Sequence, residues 1–430
     1  KRMKDMDCLE QLAGKGLMMP NNPTNSAPRR IMYSTQTEHL VGLNNPEPPL
    51  LQTGYENMYG KYCSSFHKAD GDIEVLAKVS KYDFLPNHHY FLIVRNRKTG
   101  VYDVVERVLY NHITETYGYL YDNSYLDSLS VGSVIPDKQT YKKSKSFDKY
   151  DNRQDGVNLL TTYMSCETNK EDGIIISTTA SEKLAAPLVK NPIVQVNDND
   201  IPLNLYGDAS TYKVFPNVGE IIRDGVICGL RREYNEESLF SQSNDRLREL
   251  MLSDDKITGN GIIADINIYC NNPEILENSQ YYTQLKFYND QNFRFMREFI
   301  SVVENIKING GKLSYELDKM THNFNKILNQ GQYIKDKPFS NIVIEFIVLE
   351  NIKADVGDKI SNRYGGKGVI AKVLPDELMP KLENGKHVEV IFNSSGCVNR
   401  ENNGQLIETT INHIGSRILD FIQLNAIDLN

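Results

Sequence analysis

The chain contains no tryptophan, and its six cysteines (Cys8, Cys63, Cys166, Cys228, Cys270, Cys397) are scattered, with no C-x-x-C pair and no Cys/His cluster. That excludes a simple zinc ribbon or finger and argues against a disulfide scaffold in a chain of 430 residues, so a reducing cytosol is the expected compartment. Apolar runs are also short. The most hydrophobic stretch, Ile342 to Ile352, is broken by Glu345 and Glu350, far below the ~20 apolar residues a membrane span needs. No apolar segment follows Lys1-Arg2-Met3-Lys4 as a signal peptide would require. A soluble, cytoplasmic chain is expected. Basic charge is lacking too: 48 Lys and Arg stand against 56 Asp and Glu, a net charge of −8. Proteins that bind nucleic acid unaided are usually basic. Either this chain does not do so, or its cations are local and companion chains supply the rest of the field. The abundance of Asn, Ile, Tyr and Lys fits an AT-rich genome, which concerns origin and not chemistry.

What is present is concentrated in Asp355 to Ile370. Gly365, Gly366 and Gly368 lie among Lys359, Arg363 and Lys367, ahead of an apolar run from Val369. Glycine lets a backbone reach positive φ and approach a ligand closely, and clustered cations favour a multiply charged anion such as phosphate. A solvated basic turn ahead of a strand is the plainer reading. The loop is not a Walker A motif, because Gly368 stands where that motif needs Ser or Thr.

Along the chain, Asn21 to Arg30 is rich in turn residues, and Ile31 to Leu40 reads as a short helix with Pro28 near its start. Arg29 and Arg30 there oppose the helix dipole, which points either to a nearby anion or to two exposed arginines in a loop. From Cys63 to Pro136, alternating runs separated by turns, such as Ile73–Val79, Tyr90–Val94 and Val101–Val105, predict an antiparallel β module. Asp70-Gly71-Asp72 within it is an ordinary hairpin turn and not a metal loop. A charged connector, Tyr141 to Lys149, leads to a strand over Asn158 to Thr162, and then to Glu171 and Asp172 immediately ahead of the strand Gly173–Ser177. Adjacent residues on an extended chain face opposite ways, so the two carboxylates are not expected to form an acid/base dyad. One can ligate or orient a hard cation while the other supports it, or both belong to a polar turn. Asp245 to Leu252 reads as a helix. Tyr281 to Ile306, with Phe295, Phe299, Val302 and Val303 at helical spacing, reads as core.

Four blocks, in order, resemble the beta subunit of multisubunit DNA-directed RNA polymerases. Pro28-Arg29-Arg30-Ile31-Met32-Tyr33-Ser34-Thr35-Gln36, with Thr53-Gly54-Tyr55-Glu56 after it, resembles the segment that opens a helix facing the active centre; His39 stands where many members have Gln. Glu171-Asp172 before Gly173–Ser177 resembles the family's Glu-Asp block, with Glu167 and Thr168 replacing its usual Gly-Tyr. Gly357-Asp358-Lys359 followed by Arg363 to Ile370, with Met379-Pro380 beyond, resembles its lysine block, with Tyr364 in place of the usual His. The most specific block runs from Asn393 to Thr409 and matches at Asn393, Gly396, Arg400, Asn402, Gly404, Gln405, Glu408 and Thr409. The resemblance covers nearly the whole chain but only about the second half of a beta subunit, and the form is most like the split beta subunits of giant bacteriophage polymerases.

The resemblance implies a β-rich mixed α+β fold, a beta-side double-psi β-barrel with an inserted flap. It divides the chain into an active-centre-facing segment (1–65), a β-rich module and linker (66–150), a first barrel segment with the Glu-Asp block (151–185), a flap-like insertion (186–340), and a barrel segment with the lysine loop and the Arg400 loop-helix (341–430). It implies that Lys359 and Lys367 contact the RNA 3′ end or its phosphates, and that Arg400 and Arg29 grip the incoming triphosphate. Asp172, backed by Glu171, would serve a second Mg²⁺ shared with the partner chain. Arg363, Gly366, Asn402, Gln405 and His39 would contact nucleic acid or nucleotide. The family's three-Asp magnesium loop is absent, so Mg²⁺ is expected mainly on a beta-prime-like chain, and activity only in complex with it. Further expected partners are an N-terminal beta fragment, a promoter-specificity factor at the flap, DNA template, RNA product and nucleoside triphosphates, in the cytoplasm of a phage-infected bacterium. Two rivals stand: a non-catalytic scaffold or virion protein with a degenerate barrel, and a nucleotide-binding enzyme using Gly365 to Gly368 as a phosphate loop.

Overall fold

The computed structural model describes residues 14–60, 63–82, 89–112, 117–197, 200–208, 210–231, 255–277, 280–331, 333–334, 337–338 and 342–424. The helix expected over Asp245 to Leu252 lies outside them. The fold is mixed α+β and rich in sheet, and it divides into two compact units. The first comprises Lys1–Phe66, Lys143–Pro187 and Asn351–Asn430; the second comprises His67–Lys142 and Leu188–Glu350.

In the first unit, helix α1 spans Ala27–Glu38. It starts earlier than the apolar pattern implies, because Pro28 occupies its first turn, where a missing N–H costs nothing. Arg29 therefore sits inside that turn. Strands β1 (Thr161–Tyr163) and β2 (Gly173–Ser177) are followed by helix α2 (Thr178–Lys183), which is capped by the Ser177 hydroxyl accepting from the Ala180 N–H. Next come β3 (Lys359–Ser361), β4 (Lys367–Leu374), β5 (Val390–Phe392), α3 (Ser394–Asn399) and α4 (Asn403–Leu424). Strand β1 is shorter than the expected run from Asn158. The N–H groups of Asn158 and Leu160 are taken by the carboxylates of Glu47 (2.9 Å) and Glu389 (2.7 Å) instead of by a neighbouring strand.

These strands form one five-stranded sheet in the order β3-β4-β2-β5-β1. Strand β2 pairs parallel with β4, Gly173 opposite Val369, and antiparallel with β5, Ile175 opposite Ile391. Alternate side chains of a strand leave on opposite faces, so the apolar run of β2 supplies two cores. Ile174 and Ile176 pack with Ala180, Ile370 and Val390, while Ile175 packs with Met379, Val388 and Ile391. Because β2 and β4 are remote in sequence, their parallel pairing brings the Glu-Asp turn directly beside the lysine loop.

In the second unit, Ile73–Tyr82, His89–Asn96 and Val101–Arg107 pair antiparallel in sequence, with Val75 opposite Val94 and Leu92 opposite Val105. One face buries Ile73, Val75, Tyr90, Leu92 and Val94. The other buries Val79, Phe91 and Ile93 against Phe295, Phe299 and Val303 of the helix Thr283–Ile308. The aromatic spacing in that helix is core packing, as its period implied. Among the described residues no helix is long and apolar enough to cross a membrane.

Candidate functional site

The lysine loop joins β3 to β4. Across this hairpin Lys359 stands opposite Val369, and Ser361 opposite Lys367. Directly opposed residues share a face of the sheet, as do residues two apart on one strand. Lys359 and Lys367 therefore project to the same side, and both are exposed. The turn is closed by Asn362. Its Oδ1 accepts from the N–H groups of Tyr364 (2.9 Å) and Gly366 (3.0 Å), and its own N–H donates to the Gly366 carbonyl at 2.9 Å.

Two of the glycines are required by the chain's own packing. Gly365 has φ +69°, and a Cβ there would lie 2.5 Å from the Arg29 carbonyl oxygen. At Gly368 a Cβ would lie 2.4 Å from the Asp172 carbonyl oxygen, which accepts the Val369 N–H at 3.1 Å. The loop is thus pressed against α1 on one side and against the Glu-Asp turn on the other. Arg363 is directed away from the cleft: its Nη1 donates to the Leu51 carbonyl at 2.8 Å, and its Nη2 forms an ion pair with Glu408. It ties the loop to α4. Tyr364 is buried with Met19 and Tyr33. Burial first, then the charge of Glu408, raises its phenol far above the ordinary value, so it stays neutral.

Glu171 has φ +56°, an uncommon left-handed conformation for a residue other than glycine. The chain is not extended there, so the premise of alternation does not hold at this turn; Glu171 and Asp172 both border one cleft. The Asp172 carboxylate is in an ion pair with Arg400. Arg400 lies in the short turn between α3 and α4, a turn tightened by Glu401 at φ +55°. Its carbonyl accepts from the Ser26 hydroxyl at 3.4 Å, and Asn25 Oδ1 accepts the Gly404 N–H at 3.1 Å. The start of α1 is thereby bound to the start of α4, which brings Arg29 alongside. Arg29 Nη1 donates to the Gly365 carbonyl at 2.9 Å. Desolvation and the like charge of Arg400 lower its guanidinium pKa, and Asp172 acts in the opposite direction.

The result is one cleft, open to solvent and bordered by Glu171, Asp172, Asn362, Gly366, Lys367, Arg400, Asn402 and Gln405. Asn402 and Gln405 are buried in its wall. Lys359 lies just along the hairpin and Arg29 beside Arg400, neither among the bordering residues. His39 caps the far end of α1 and is exposed, about 15 Å of helix from Arg29 at 1.5 Å per residue. The structure does not bring it to the cleft. Cations and N–H donors around such a space suit phosphate oxygens. Among the described residues no group of three or more His, Cys, Asp or Glu could hold a metal ion. With Asp172 already paired to Arg400, Glu171 and Asp172 do not make a magnesium site by themselves. Neither Asn362 nor Asn25 was weighed from sequence; an Asn two residues before a backbone N–H it can accept, as Asn362 is, is a recognisable turn-former, whereas Asn25 reaches Gly404 across the chain and carries no such local signal.

Residues 220–424 match the family model described as RNA polymerase Rpb2, domain 6. The chain is 47% identical over 79 residues to the DNA-directed RNA polymerase subunit beta of Thermus aquaticus, covering 18% of this chain and 7% of that protein. It is 44% identical over 88 residues to the same subunit of Koribacter versatilis, covering 20% of this chain and 6% of the relative. For that of Sorghum bicolor the identity is 33% over 97 residues, covering 23% of this chain and 9% of the relative. The aligned stretch is thus less than a tenth of the length of each of these proteins. What the chain is similar to is in each case a short part of an RNA polymerase beta subunit.

Proposed function

We propose that the chain forms the beta side of the active centre of a multisubunit DNA-directed RNA polymerase and acts in template-directed nucleotide addition only with a beta-prime-like chain. The observation that carries this reading is the convergence of Lys367, Asp172 and Arg400, from three separate blocks of sequence, on one cleft. The matches to beta subunits support it independently.

In this reading the first unit contributes to a double-psi barrel, and 186–340 forms a flap that docks a promoter-specificity factor. Phosphoryl transfer requires alignment and charge neutralisation more than covalent help from the protein. Lys359 and Lys367 hold the RNA 3′ end or its phosphates, and Arg400 with Arg29 binds the triphosphate of the incoming nucleotide. Asn402 and Gln405 shape the wall behind Arg400, and Gly366 keeps the loop low. His39 and Arg363, directed elsewhere in this chain, would meet nucleic acid only through surfaces completed by other chains. Magnesium belongs mainly to the partner chain, with Asp172 a contributing ligand backed by Glu171. An N-terminal beta fragment, a DNA template, an RNA product and a phage-infected bacterial cytoplasm complete the proposal.

The test uses the chain alone and the complex recovered through a tag on it, each given an RNA–DNA scaffold, nucleoside triphosphates and Mg²⁺. The complex is expected to extend the RNA and the chain alone is not. Extension by the isolated chain would contradict the division of labour. A complex that extends equally well after this chain is stripped from it would favour the scaffold rival. Tight nucleotide binding by the isolated chain, with no extension in either form, would favour the phosphate-loop rival.

A further inference from the structure

We infer that Asn362 is a positioning residue that fixes Lys367 in the cleft; the inference rests on the function proposed above. Three hydrogen bonds close between residues 362 and 366, and two of them end on the single side-chain oxygen of Asn362. The second of those is to the N–H of Gly366, the residue immediately before Lys367. Asn362 also lies flat against Gly366: a Cβ there would stand 2.8 Å from Asn362 Nδ2 and 2.9 Å from Oδ1. The other ties on the loop act elsewhere. Arg363 binds Leu51 and Glu408, and Arg29 binds the Gly365 carbonyl. Asn362 is the cleft-lining side chain that holds the backbone on the approach to Lys367.

Removing that acceptor leaves the N–H groups of Tyr364 and Gly366 without their partner, and the turn that aims Lys367 loosens. The ammonium is still present but no longer preorganised, and small misplacements of a catalytic group are expensive. Because Asn362 acts on the backbone before Lys367 and not on the nucleotide, the loss falls on the rate at saturating nucleotide, with KM little changed.

The experiment measures nucleotide addition by the assembled complex on a preformed scaffold. Asn362→Ala is expected to lower the saturating rate about 10-fold or more, and Asn362→Leu, of similar size but without an acceptor, to do the same. Asn362→Asp keeps an oxygen for both N–H groups and is expected to recover most of the rate. In a Lys367→Ala background, Asn362→Ala is expected to add no further loss, since it acts through that lysine. Normal rates for both Asn362→Ala and Asn362→Leu beside a collapsed Lys367→Ala would overturn the inference and leave the proposed function standing. So would equal losses in the Asp, Ala and Leu variants, or an additive double variant. A normal rate for Lys367→Ala would overturn the proposed function itself, and the inference with it.

Discussion

Lys367→Ala is expected to lower nucleotide addition by the assembled complex about 10²-fold or more, the scale reached when one preorganised electrostatic donor is removed. The lysine is exposed at the first position of β4, and its backbone, not its ammonium, is what pairs with Ser361. Folding and assembly should therefore be unaffected, since an exposed lysine contributes little to stability. Lys367→Arg should restore the rate only in part: a planar guanidinium fork does not fill the place of a compact ammonium. Lys372, exposed farther along the same strand, is the control and should be dispensable. The rates are read on a preformed RNA–DNA scaffold, with assembly checked by gel filtration. A near-normal Lys367→Ala, or an equal loss in Lys372→Ala, would remove the loop from the active centre.

Gly368→Ala is expected to be at least as damaging, for a different reason. The added methyl would lie 2.4 Å from the Asp172 carbonyl oxygen and 2.5 Å from Ile174 Cδ1. The first of these is backbone and cannot rotate away. The hydrogen bond from the Val369 N–H to that carbonyl joins β4 to the Glu-Asp turn, so the methyl wedges the sheet apart beside the cleft that Lys367 and Asp172 both border. Overpacking of this kind costs about 1–3 kcal/mol, so both the thermal midpoint and the addition rate should fall. Gly415 supplies the contrast: it lies in α4, and a Cβ there meets nothing within 4 Å. Gly415→Ala should hold or raise the midpoint, because Ala exceeds Gly in helix propensity by about 1 kcal/mol. A Gly368→Ala chain that melts and works as the parent does would show that the β2–β4 contact does not govern the site.

The residues that meet in the cleft were legible because charge and glycine content are local properties. Lys367, Asp172 and Glu171 stand out by type and spacing, and Arg400 through the resemblance of its block to the polymerase family. What joins them was not legible. Strands β2 and β4 pair across a separation on which neither strand's own periodicity carries information, and the lock of Asn25 onto the start of α4 joins residues 379 apart. Conformation misled in one place: the alternation rule for Glu171 and Asp172 assumes an extended chain, and a left-handed residue cancels it. Chemistry was ambiguous in another, since Arg363 looks like its neighbouring lysines in sequence, yet its ion pair with Glu408 turns it inward. Asn362 drew no attention because a turn-forming Asn in a glycine-rich loop is unremarkable until its two N–H partners are located.

The central claim, that the lysine loop of this chain meets the growing end of RNA, is tested most directly by crosslinking. The complex is loaded with a scaffold whose RNA ends in a photoreactive 3′ nucleotide, irradiated, digested, and the adducts mapped by mass spectrometry. The account predicts adducts on the peptide spanning Lys359 to Gly368, lost when the RNA is shifted back from its 3′ terminus. Adducts confined to companion chains, or to residues 67–142 and 188–350 of this one, would contradict it.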